Sequence, residues 1–146
     1  MNSAYRSLQV LLWFISASHV ALGAAIALSE RLQGFMATLY GVTVEIEPQM
    51  QYMLRPLGAF MMALGVAAGA AALRPLRHQP IIWGFVGLFV VRVFQRIVFH
   101  DLIAERFGIS SSKLITASAF FGILALLLIL FLRLAVRADS AMHSNS

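Results

Sequence analysis

Ile81-Ile82-Trp83-Gly84-Phe85-Val86-Gly87-Leu88-Phe89-Val90-Val91-Arg92-Val93-Phe94-Gln95-Arg96-Ile97-Val98-Phe99 decides the fold, because it counts as a full apolar helix only if two arginines are admitted to it. A helix of this length rises close to the roughly 30 Å of a hydrocarbon core. Its uncharged part ends at Val91, so on hydropathy alone it is the weakest of four such stretches. The charges around it argue for keeping it. With only three spans, the basic loop Arg74-Pro75-Leu76-Arg77-His78 and the basic end Arg133 to Arg137 would lie on opposite sides of a bilayer. With four, Arg6, Arg74, Arg77, Arg133 and Arg137 share one side, which the positive-inside rule makes cytoplasmic.

The other stretches are 8–28, 50–73 and 114–136, the last holding the most apolar run, Leu114 to Leu132. Together they account for a chain that is 60% apolar and 12% charged. Its mean hydropathy is +0.84, outside the balance of soluble domains. The expected fold class is therefore all-α: one transmembrane domain over 1–146, an up-down-up-down four-helix bundle with both termini cytoplasmic in a bacterial inner membrane. An outer loop is expected at 29–49 and a frayed tail at 139–146. Five of the six acids, Glu30, Glu45, Glu47, Asp101 and Glu105, fall on the outer side. Pro48 and Pro80 precede two of the spans and Gly108 follows the third, as start and stop chemistry requires.

A cleaved signal peptide is the competing reading of 8–28, given Arg6 and Ala25-Ile26-Ala27. The apolar run is longer than the roughly 7 to 15 residues of a signal core, so a retained span is expected. The second span carries Gly58, Ala59, Ala63, Gly65, Ala67, Ala68, Gly69 and Ala72. These small residues surround the helix and predict close packing within the bundle more than a homodimer stripe.

Lys+Arg number 11 against 6 Asp+Glu. That excess lies between and at the ends of apolar runs, so it is read as membrane orientation and not as a nucleic-acid footprint. With no cysteine, disulfides, thiol redox chemistry, cysteine-held metals and thioether-linked haem are excluded. No P-loop, dinucleotide fingerprint, H-E-x-x-H or nucleophile elbow occurs. The chain is accordingly read as non-enzymatic, with no cofactor and no metal. Ser110-Ser111-Ser112 is read as a turn and helix cap.

Arg92, Arg96 and His100 recur every four residues, which places all three on one face of the third helix as a basic stripe. Arg96 would lie about 6 Å and Arg92 about 12 Å deeper than His100. Arg55 enters the second helix from the same side. Arg96 and Arg55 can snorkel to headgroups, whereas an arginine at the depth of Arg92 costs about 3 kcal/mol on insertion scales and needs a partner or a wet cavity. Two readings follow: a salt-bridge lock from Arg92 to Glu45 or Glu47, or an arginine-lined pocket for an anionic headgroup or carboxylate.

His19, between Ser16, Ser18 and otherwise apolar residues, is read as a neutral histidine hydrogen-bonded inside the bundle. A proton relay or haem ligand is the functional alternative. Paired histidine ligation lacks a second histidine at matching depth, since His78, His100 and His143 all fall outside the apolar runs.

Tyr40-Gly41-Val42, then Glu47-Pro48-Gln49, then Tyr52-Met53-Leu54-Arg55-Pro56-Leu57-Gly58-Ala59-Phe60, a short basic loop and a third helix bearing Arg92 resemble the small bacterial membrane proteins grouped as DUF4345 and the broader DoxX-like set. The resemblance implies a four-helix membrane fold; on the DoxX-like side it implies an accessory subunit in redox or stress-related membrane complexes. It carries no role to Arg96 or His100. The functional expectation is an accessory or lipid-associated bundle whose partners are membrane lipids, with homo-oligomers or a larger membrane complex open. The alternative is a small transporter or channel protomer with His19 and Arg92 lining the path.

Overall fold

A computed structural model describes residues 3–42 and 47–143, with side chains through 141. All regular structure among them is helical: α1 (Ser3–Leu28), α2 (Glu30–Tyr40), α3 (Pro48–Leu73), α4 (Gln79–Val98), α5 (His100–Phe107) and α6 (Ser111–His143). Of these, α1, α3, α4 and α6 are long and apolar enough to cross a membrane.

The boundaries differ from the sequence reading at three places, each for a local reason. The expected outer loop contains α2. Ser29 is extended (φ −143°) and its hydroxyl accepts the Leu32 N–H at 3.3 Å, a side-chain N-cap. Gly41 ends the helix in the left-handed region (φ 85°). The Gly41 N–H donates to Thr38 and the Val42 N–H to Ala37, both at 2.9 Å, the two bonds of a Schellman stop. The segment between the third and fourth spans likewise folds as α5, closed by Gly108 at φ 65°. At the far end, helix continues through 139–143, where a frayed tail is expected from the polar sequence.

The backbones of α1 and α3 touch. A β-carbon added at Gly58 would lie 2.5 Å from the Gly23 carbonyl oxygen, and one at Gly23 would lie 2.6 Å from that of Gly58. One at Gly65 would meet the Ser16 carbonyl at 2.9 Å, and one at Gly69 the Ser16 hydroxyl at 3.0 Å. Only glycine permits this approach, which suits helices that gain most from van der Waals contact. The expectation of internal packing agrees. The small residues do surround the helix, and they are sorted: the glycines form a stripe against α1, while Ala59, Ala63 and Ala70 face outward. Glutamine amides tie both ends of the α1 unit. Gln9 donates to the Ala72 carbonyl at 3.0 Å and Gln33 to the Ile26 carbonyl at 2.6 Å. Both acceptors belong to final helical turns, whose carbonyls otherwise lack partners.

α1 then packs on α6, and α6 on α4, while α3 and α4 meet little. Leu8, Leu12 and Ile15 of α1, Ile82, Phe85 and Phe89 of α4, and Leu124, Leu128 and Leu132 of α6 form the shared core. Consecutive long helices run antiparallel, so α2, α5, the start of α3 and the start of α6 gather at one end of the bundle. The groove described next lies at that end.

Candidate functional site: a cationic groove at the α2–α5 end

The last two turns of α4 and the first three of α6 line a groove together with Leu39 and Tyr40 of α2 and Ile103 and Phe107 of α5. It is open and has a volume of about 800 Å³. Its charged lining is Arg92 and Arg96 from α4 and Lys113 from α6; the other lining residues include Tyr40, Gln95 and Thr116, with Phe107, Phe120 and Phe121 among the apolar ones.

Phe121 organises the cations. Its buried ring has the guanidinium carbons of both Arg92 and Arg96 at 4.9 Å from its centroid, so the two arginines are at most twice that distance apart. Each contact is favourable, because cations are attracted to the ring's quadrupole. Two like charges on one ring repel one another, however, and among the described residues no carboxylate lies within ion-pair distance of either arginine. Lys113 lies against the end of α2: a β-carbon on Gly41 would meet its Cδ at 2.6 Å and its Nζ at 2.8 Å. The ammonium is thereby held at the negative end of the α2 dipole.

The other expected site residues are dispersed. Arg55 pairs with Glu30, Nη2 to Oε1 at 2.8 Å. This bridge joins α2 to α3 outside the groove. His100 leaves the basic stripe because α4 stops at Val98 and Phe99 (φ −103°, ψ 23°) breaks the helical periodicity. Its Nδ1 lies 2.8 Å from Asp101 Oδ1. Glu47 is exposed at the N-cap of α3 and forms no ion pair among the described residues. Glu45 lies outside the described residues.

His19 is 93% buried by the complement of its 7% exposure. Its Nδ1 lies 2.9 Å from the Ile15 carbonyl. A carbonyl only accepts, so Nδ1 carries the proton and donates. Nε2 is buried without a hydrogen-bond partner among the described residues. The ring is edge-on to Phe85 at 5.7 Å and tilted against Phe89 at 6.3 Å, and Phe89 reaches Phe121 at 5.6 Å. His19 therefore connects to the groove through aromatic rings and does not line it. Its single donated bond goes to a carbonyl of its own helix, so His19→Leu removes an unsatisfied acceptor and breaks no tie between helices. We expect that variant to melt within about 1 kcal/mol of the parent in differential scanning fluorimetry. A loss several times larger would mean that His19 has a bound partner.

Lys113, Phe121, Tyr40 and Gln95 were not among the site residues expected from sequence. Lys113 is the only lysine of the chain and stands at the start of a span, which was the one available signal. The chain matches no protein family, no characterised protein and no solved structure.

Proposed function

We propose that this chain is a four-span integral protein of a bacterial inner membrane, with both termini cytoplasmic, and that the groove faces the outer leaflet and holds an anionic amphiphile. This is a lipid-associated or accessory role without catalysis. The reading rests on one observation. Arg92, Arg96 and Lys113 line a single groove of about 800 Å³ with apolar walls and no carboxylate within ion-pair distance of either arginine among the described residues. Buried or half-buried arginines in an apolar phase are costly unless compensated, and guanidinium groups pair well with phosphate and carboxylate oxygens. A ligand with an anionic head and an apolar tail supplies a counter-charge that the described residues do not. The volume is that of a small-molecule site, enough for a headgroup and the start of a tail.

The salt-bridge lock through Glu45 falls outside the described residues. Among those residues the ion pair at this end joins Arg55 to Glu30, and Arg92 lies over an aromatic ring. The transport alternative needs His19 and Arg92 on one path, whereas His19 is packed against Phe85 and Phe89 and does not line the groove.

Native mass spectrometry of the detergent-purified protein, incubated with phosphatidylglycerol and with phosphatidylcholine, tests the reading. We expect a retained phosphatidylglycerol adduct and little phosphatidylcholine. In the Arg92→Gln/Arg96→Gln double variant the adduct should fall at least about tenfold, since each charge-assisted bond is worth about 1.5 to 3 kcal/mol. Equal retention of both lipids, or no effect of the double variant, rejects it.

A further inference from the structure

Resting on that reading, we propose that the groove selects a phosphate monoester, the doubly charged form of phosphate at a chain end, over the singly charged diester of ordinary anionic lipids.

The argument is one of charge and donor count. Three cations converge on the groove, and neither arginine has a carboxylate at ion-pair distance among the described residues. A diester carries one negative charge and exposes two unesterified oxygens. A monoester carries about −1.5 to −2 near pH 7 and exposes three. Arg92 and Arg96 are held by the same ring, each 4.9 Å from the Phe121 centroid, so one group can be approached by both. Lys113 comes from the other wall and is fixed against the end of α2. Three donors from two walls match three oxygens; with a diester, one cation stays without an anion. The flexible ammonium acts as a point charge and the planar guanidinium groups as directional forks. The third charge is therefore the one expected to separate monoester from diester.

The charged or ionisable side chains facing the groove are Arg92 and Arg96 from α4, Lys113 from α6 and Tyr40 from α2, while α5 presents Ile103 and Phe107. The monoester's second ionisation lies at about 6, inside the interval from pH 5 to 8. A preference that rises with pH across that interval follows the ligand's second charge.

The test is competition by native mass spectrometry on the full chain in detergent, using phosphatidic acid and phosphatidylglycerol with identical acyl chains at pH 8 and pH 5. At pH 8 the phosphatidic acid adduct should exceed the phosphatidylglycerol adduct about tenfold, the value of one added charge-assisted contact. At pH 5 the two should converge. Lys113→Gln, an exposed position whose change leaves the bundle core untouched, should lower the phosphatidic acid adduct more than the phosphatidylglycerol adduct, so that the ratio of the two approaches one. Equal adducts at pH 8, or a preference insensitive to Lys113→Gln, overturns the monoester proposal while leaving an anionic-lipid site in place. Loss of both adducts overturns the site itself. A third arm adds glycerol 3-phosphate. Failure to displace phosphatidic acid assigns the monoester to a lipid, and displacement at equal concentration assigns it to a soluble molecule.

Discussion

Gly58→Leu is expected to separate α1 from α3 and to lower the melting temperature of the purified protein by about 10 °C or more, corresponding to roughly 3 kcal/mol. The magnitude follows from what the new side chain meets. Even the first carbon added at Gly58 lies 2.5 Å from the Gly23 carbonyl oxygen and 2.6 Å from the Ala27 nitrogen. Both are backbone atoms of a helix and cannot swing aside as a side-chain tip can. Relief requires the two helix axes to part along the contact that continues through Gly65 and Gly69. That separation also withdraws Ala68, Ala71 and Ala72 from the core against Leu8, Leu12 and Ile15, and it strains the Gln9 to Ala72 bond. Gly84→Leu is the matched control. It is the same substitution in an apolar helix, but nothing lies within 4 Å of a β-carbon there, so the change should stay within about 0.5 kcal/mol. If the two variants melt alike, the close approach of α1 and α3 does not carry the bundle's stability.

The same comparison shows what was legible in the sequence. Length and apolarity are local properties, so the four long helices could be read directly. The arginine-bearing 81–99 stretch indeed forms a helix, Gln79–Val98. The short helices were also signalled, by Ser29 before Glu30 and by Gly41 and Gly108 after their last turns. Yet eleven and eight residues of mixed polarity give no period strong enough to outweigh a loop reading. Arg92 and Arg96 were found because four-residue spacing places them on one face, and the helix continues between them. The same spacing failed for His100, since one residue outside helical geometry at Phe99 re-aims everything beyond it. Arg55 failed for another reason: its partner Glu30 is 25 positions away, a pairing set by how α2 folds back and not by any repeat. Lys113 and Phe121 belong to the groove through tertiary contacts alone. The glycine stripe was visible as residues, but which neighbour it faced was not.

Arg92→Leu should leave the protein folded, make the 79–98 helix insert more readily and, on the proposed lipid-binding reading, abolish retention of phosphatidylglycerol. The sign of the stability effect is what makes this informative. If Arg92 is locked to Glu45 or Glu47, leucine strands a carboxylate without its partner, a loss of about 3 to 5 kcal/mol for a buried pair. Among the described residues Arg92 has no such partner; it lies over Phe121, and a cation–π contact is worth about 0.5 to 2 kcal/mol. Against that loss stands the cost of carrying an arginine at depth, about 3 kcal/mol on insertion scales, while leucine is favoured there. The balance favours leucine, so a glycosylation-mapping assay of membrane insertion should show the 79–98 segment inserting at least as completely as in the parent. The melting temperature without added lipid should hold or rise. Adding phosphatidylglycerol should stabilise the parent, because a ligand that binds only the folded state raises its stability, and should leave Arg92→Leu unmoved. A variant that fails to insert or accumulates unfolded would show that Arg92 has a carboxylate partner after all. One that still gains stability from the lipid would show that the groove does not need its deepest cation.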